Sequence, residues 1–122
     1  MDENCIFCKI IKGDIPSNIV YENKYVCAFK DLNPVAPVHI LVIPKIHIED
    51  LEHINKENVE YVAKVQEAFK EVAKIMGVNE SGYRVICNCG KDGGQEVKHL
   101  HYHLLGGKKL GTKIIEINLC NY

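Results

Sequence analysis

Hydrophobic positions along the chain switch between helical and strand-like spacing, and the switches mark out its elements. In CIFCKIIKG, Ile6, Phe7, Ile10 and Ile11 recur at helical spacing, with Asn4 as N-cap and Gly13 as the stop, so a short amino-terminal helix is predicted. IVYE and YVCAFKD flank a turn-like NK, and their β-branched and aromatic residues predict a hairpin. Two prolines in DLNPVAP break the pattern. VHILVIPK then runs almost continuously apolar at strand length, which predicts a central strand covered on both faces. Between Asn55 and Met76, Val59, Val62, Phe69, Val72, Ala73 and Met76 form one stripe opposite Lys and Glu; this is the one long helix, ended by Gly77. GYRVICN and HLHYHLL follow as strands around the polar, glycine-rich CGKDGGQEVK, and GTKIIEINLCNY alternates enough for a terminal strand. Strands, then a helix, then strands, with few helices in all, predict an α+β fold: an antiparallel sheet of about five strands, one long helix and one short one.

Composition narrows the class. A chain of 122 residues, 47% hydrophobic and 25% charged, fits a single compact domain over 1–122, burying roughly two thirds of its unfolded surface. The net charge of −1 and scattered lysines provide no basic field for a nucleic acid. No segment approaches a membrane span and the amino terminus lacks a signal-peptide pattern, so a cytoplasmic protein without membrane contact is expected. Six cysteines in that compartment are read as reduced rather than as a disulfide framework, and for Cys27, Cys87, Cys89 and Cys120 the reading is burial. Cys5 and Cys8 have zinc-ligand spacing, but no second CxxC and no nearby H-x₃₋₅-H completes a finger.

The chemistry concentrates in HLHYHLLGG. On a strand, alternate side chains share a face, so His99, His101 and His103 line one side while Leu100, Tyr102 and Leu104 face the core. Imidazole is both nucleophile and proton carrier near neutral pH, and three in a row can divide one reaction among them. A single histidine on a strand is ordinarily a hydrogen-bonded core or rim residue; three on one face call for another reading.

HLHYHLL resembles the His-φ-His-φ-His-φ-φ signature of the histidine-triad family of nucleotide hydrolases and transferases. CIFCKIIKGDIPS, AFKDLNPVAPVHILVIPKIHI and NCGKDGGQEVKHLHYHLLGG resemble, in order and spacing, blocks of its Hint branch, so the likeness covers about residues 5 to 107. The transferase branch has Gln where this chain keeps His103, which places the resemblance on the hydrolase side.

The resemblance implies a purine nucleotide substrate attacked at its α-phosphorus by His101, giving a nucleotidyl-histidine that water hydrolyses to the monophosphate. His103 would stabilise the phosphate oxygens or protonate the leaving group, with His99 the first triad member and His39 a fourth active-site histidine. Asp31 matches the ribose-binding position. Gly93 and Gly94 would let backbone N–H groups approach phosphate, with Asn88 and Gln95 as added donors. Ile6, Phe7, Ile10, Phe29 and Leu32 match an apolar base slot, and each is equally readable as core. The likeness also implies a structural zinc on Cys5, Cys8, His47 and His99, and a homodimer joined through the long helix and a strand. His53 has no matching role and is read as a surface polar residue.

One departure stands out: the Hint pattern has Ser after GGQ, where this chain has Glu96, a carboxylate that repels phosphate. Other readings remain open. The three alternate histidines could jointly hold a catalytic metal, leaving Asn88, the glycine loop and Asp31 without work. A nucleotide-binding protein with little turnover is a second, supported by Glu96. A redox reading of CIFC lacks its expected βαβ context.

Overall fold

In a computed structural model, which describes residues 2–115, five strands form one antiparallel sheet in the order β1-β2-β3-β5-β4. The chain runs α1 (Ile6–Lys12), β1 (Ile19–Glu22), β2 (Val26–Lys30), β3 (Val38–Pro44), a 3-10 turn (Leu51–His53), α2 (Val59–Ile75), β4 (Tyr83–Ile86) and β5 (Tyr102–Gly106). The α+β class, the hairpin and the central strand agree with the sequence pattern.

Alternation sorts the sheet's two faces. Val26 and Ala28 of β2, Ile40 and Val42 of β3, and Tyr102 and Leu104 of β5 join Val65, Phe69 and Val72 of α2 in the larger core. Cys27, Phe29, Leu41 and Ile43 look the other way, onto Phe7, Cys8 and Ile10 of α1. This explains the unbroken apolar run of β3: both its faces are covered. No helix of the described residues is long and apolar enough to cross a membrane.

Three boundaries differ from the sequence reading, each for a local reason. Cys5, not Asn4, caps α1, its Sγ accepting the Cys8 N–H at 3.4 Å. The long helix begins at Val59 rather than Asn55, because Asn55 and Asn58 close a turn in which their side-chain oxygens take the backbone N–H groups of Asn55, Glu57 and Asn58. Consequently Val59 is exposed while Val65 and Ala68 join the buried stripe. Finally, β5 begins at Tyr102, so His99 and His101 lie on the extended approach to the strand. The register pairs Val42 with Tyr102 and would set Leu100 opposite Pro44, which has no N–H to donate. Leu100 N–H donates to Ile48 O instead, at 2.6 Å.

Both helices end on glycine. Gly77 takes φ 74°, with Val78 N–H on Ala73 O and Gly77 N–H on Lys74 O, the paired bonds of a Schellman stop. Of the expected terminal strand, residues 111–115 have no strand structure, and 116–122, with Cys120, lie outside the described residues.

Candidate active site

The alternation survives although the strand starts late. Leu100, Tyr102 and Leu104 enter the core under α2, while His99 and His101, both buried, and the half-buried His103 share the opposite side. Each imidazole has a different partner, and the partners fix which nitrogen carries the proton.

His99 is fully enclosed. Its Nε2 lies 3.1 Å from Pro44 O, an acceptor only, so Nε2 holds the proton and Nδ1 is left bare. That Nδ1 sits 3.3 Å from Cys5 Sγ and 3.5 Å from Cys8 Sγ, and Cys8 Sγ is 3.5 Å from His47 Nδ1. All four ligand atoms lie within 4.8 Å of one another. A tetrahedral ion with Zn–S and Zn–N bonds of about 2.3 and 2.05 Å separates S from N by about 3.5 Å, so the cluster already has a zinc site's dimensions. The surroundings fit as well: Pro44 O orients His99, and Asp2 Oδ2 stands 3.9 Å from His47 Nε2. Burial pushes His99 down to about 4 and the Cys8 thiol up. A cation would reverse the second effect by stabilising the thiolate.

His101 donates from Nδ1 to the backbone carbonyl of His99 at 2.7 Å. Its Nε2 therefore carries the free lone pair. The Phe7 ring meets the His101 ring edge-on, centroids 5.2 Å apart and planes at 83°, and meets Phe29 at 5.5 Å, holding the imidazole between backbone and aromatic wall.

His103 is set by His39. Val35 N–H donates to His39 Nδ1 at 3.2 Å, which puts the proton of neutral His39 on Nε2. From there it reaches His103 Nδ1 at 2.9 Å, with Asp31 Oδ2 3.5 Å away, so His103 carries its own proton on Nε2. Burial lowers His39 and takes His103 down to about 4, so both are neutral at pH 7. Asp31, His39 and His103 also converge closely enough to invite a metal reading. The hydrogen-bond chain argues against it, because a metal on His39 Nε2 would displace the proton to Nδ1, against the Val35 N–H.

His101 and His103 open into a pocket of about 270 Å³. Phe7, Asp31, Asn88 and Gly94 line it, together with four residues not singled out as binding groups from sequence: Asn33, Leu41, Glu96 and Val97. Asn33 and Leu41 have no signature of their own; they arrive through the turn after Asp31, whose carboxylate takes the Asn33 N–H at 2.7 Å, and through pairing of Leu41 with His103.

Other expected members lie elsewhere. Ile10 and Phe29 are buried beneath the wall, while Ile6 is 47% and Leu32 93% exposed, neither lining the pocket. Gln95 uses both amide hydrogens on Glu49 O and Val97 O and accepts the Gly90 N–H, so it braces the loop. Gly94 N–H is likewise committed to Lys91 O; what Gly94 gives the pocket is a wall without a side chain at φ 82°. Gly93 is required by packing, since a Cβ there would lie 2.3 Å from Cys89 O. The Asn88 amide, by contrast, makes no hydrogen bond among the described residues and is available to a ligand.

The three triad imidazoles do not converge on one point, as the joint-metal reading required: His99 Nδ1 faces the cysteines and His101 Nδ1 faces a carbonyl. His53 lies on the surface turn, its charge held up by the hydrogen bond to Asp50.

Comparison with known proteins follows the same lines. The family model described as "HIT domain" matches residues 12–110. Purine nucleoside phosphoramidase of Escherichia coli is 45% identical over 114 residues, 93% of this chain and 96% of that protein. A HIT family hydrolase from Clostridium thermocellum superposes with a TM-score of 0.91 at 52% identity, covering 94% of this chain and all of the other. A histidine triad protein from Clostridium difficile gives 0.88 at 53% identity, over 93% of this chain and 98% of its own.

Proposed function

The chain belongs to the HIT family, and from that premise we propose that it hydrolyses purine nucleotide conjugates at the α-phosphorus, adenosine 5′-phosphoramidate or a related AMP conjugate being the substrate class. The observation that carries this reading is the His101 Nδ1–H bond to His99 O at 2.7 Å, which leaves Nε2 bare in a wall of the pocket. The name of the Escherichia coli relative, purine nucleoside phosphoramidase, supports the substrate class.

His101 Nε2 attacks phosphorus and the P–N bond breaks, its electron pair leaving on nitrogen. The departing amine takes a proton from solvent; water's attack on the nucleotidyl-histidine releases the monophosphate and returns a proton. His103, fixed as a neutral Nε2–H donor, and Asn88 stabilise the phosphate oxygens, acting as aligned dipoles rather than as charged acids. Asp31 takes the ribose hydroxyls and Phe7 and Leu41 flank the base.

Cys5, Cys8, His47 and His99 would hold a zinc ion, which as a four-ligand ion supplies structural closure. We propose further that two chains pair through α2 and β4. This is supported by β4 being a sheet edge that leaves Tyr83 and Val85 exposed. A cytoplasmic setting accords with Cys5, Cys8, Cys27, Cys87 and Cys89 being free thiols.

The test is release of adenosine monophosphate from adenosine 5′-phosphoramidate by the wild type and by His101→Ala. Release that falls by about 10³-fold or more in the variant supports the assignment; equal release by both would overturn it, and binding without release by the wild type would favour the nucleotide-binding reading.

A further inference from the structure

A pocket built to accept a phosphate would be expected to carry cations. This one carries none: its only formally charged side chains at neutral pH are the carboxylates of Asp31 and Glu96, with no Lys or Arg in the lining and with His103 neutral. Asp31 is engaged with Asn33 N–H and faces His39. Glu96 is different. It is exposed and makes no hydrogen bond or ion pair among the described residues.

Glu96 also has a distinctive position. Together with Val97 it forms the wall shared by the catalytic pocket and a second cavity of about 290 Å³, which opens beside Asp2, Cys5 and His47. Asp31, Asn33 and Leu41, which bound the nucleoside side, take no part in that second cavity. A phosphorus held by His101 and His103 therefore has a neighbouring space for its leaving group on the Glu96 side, distinct from the cavity that adjoins the pocket across Asn88, and the way into it passes the Glu96 carboxylate. Within that space Asp2 and Glu96 outnumber the single ammonium of Lys98.

Resting on the hydrolase reading above, we propose that Glu96 selects the leaving group: it favours nucleotide conjugates whose departing amine bears a second, positively charged nitrogen, and it disfavours those whose leaving group is a further phosphate or a carboxylate. The bond cleaved is the same P–N bond, and the proton bookkeeping is unchanged. What Glu96 contributes is attraction to a charge carried two carbons beyond the scissile nitrogen. A leaving polyphosphate would instead bring two or more negative charges against an unpaired carboxylate with no cation in the catalytic pocket to offset them.

The experiment uses three adenosine 5′-phosphoramidates of matched length, made from ethylenediamine (terminal ammonium), propylamine (neutral) and β-alanine (terminal carboxylate). kcat/KM for monophosphate release is measured with the full chain, with Glu96→Gln and with Glu96→Lys. The wild type is expected to favour the ammonium compound over the neutral one by roughly threefold, and over the carboxylate by roughly tenfold, the scale an exposed ion pair supports. Glu96→Gln should bring all three within about twofold and Glu96→Lys should reverse their order; added salt should compress the wild-type ratios. Ratios in the wild type equal to those in Glu96→Gln, with all three compounds turned over, would overturn this proposal and leave the hydrolase reading intact. Turnover of none of them by the wild type would overturn both.

Discussion

His39 Nε2 and His103 Nδ1 stand 2.9 Å apart with one proton between them, and Val35 N–H decides whose it is. A second proton at this contact would set two N–H groups against each other, and moving one to His39 Nδ1 would set it against the Val35 N–H. The pair is thus locked neutral by geometry, in agreement with the direction in which burial moves both groups.

Removing His39 should release that lock without touching the substrate. In His39→Leu the His103 ring loses the donor that fixes its tautomer, and kcat should fall roughly tenfold, with a smaller change in KM. A positioning role further requires the acidic limb of the rate profile to move toward the ordinary histidine range of about 6.5. Rates and pH profile both unchanged would show that His39 does not set His103.

Stability should carry the same signature. The folded His103 titrates near 4, against about 6.5 when unfolded, so between those values the unfolded chain binds more protons and stability falls as pH falls, by up to about 1.4 kcal/mol per pH unit for each such group. The contribution is complete above about pH 6.5. Denaturant midpoints measured from pH 7.5 to 5 should decline in the wild type and decline less steeply in His103→Gln; parallel curves would refute the assignment.

Purified protein should contain one zinc ion per chain, measured by mass spectrometry, and Cys8→Ala or His47→Ala should lose it. Stripping the metal is expected to lower the melting temperature by roughly 10 °C. Monophosphate release should persist at temperatures where the stripped protein is still folded, because a four-ligand ion has no open position for water. Loss of turnover in a folded, stripped protein would contradict a structural role.

Adjacent glycines should respond differently. Gly93→Ala forces a Cβ to 2.3 Å from Cys89 O, a backbone atom that cannot swing away, so a loss of more than about 2 kcal/mol is expected. At Gly94 the space is open and only φ 82° opposes the substitution, costing about 1 kcal/mol. Chemical denaturation of the two variants checks the order, and a smaller loss at Gly93 would show that the loop can shift.

Both helices and the shared face of His99, His101 and His103 were legible from periodicity, the central strand from its unbroken apolar run and the hairpin from its β-branched and aromatic residues, all of which a sequence displays directly. Boundaries were less so. The start of α2 depended on two asparagines closing a turn, and the start of β5 on which residue its neighbour offered at one register position, Pro44. Among the site residues, Cys5, Cys8 and His47 gather around His99, while His101 and His103 open into the pocket. Gln95 and Gly94 show the limit: residue type suggested donors to a ligand, but their hydrogens are committed within the loop, to Glu49 O and Val97 O and to Lys91 O. Val35 and Pro44 act through backbone atoms, which every residue possesses and no motif can flag. Leu32 and Ile6 fit an apolar slot by type, yet their side chains face solvent.

The metal-ligand group gathers positions 5, 8, 47 and 99, so its first and last members are 94 residues apart. During synthesis at ~5–20 residues per second, the two cysteines wait many seconds before the final imidazole emerges. Capture of a metal there would consequently be a late event in the life of the nascent chain, one that closes a loop spanning four of the five strands and the long helix. Because His101 is aimed by the carbonyl of that same final residue, the proposed nucleophile and the proposed clasp would be completed in a single act of assembly.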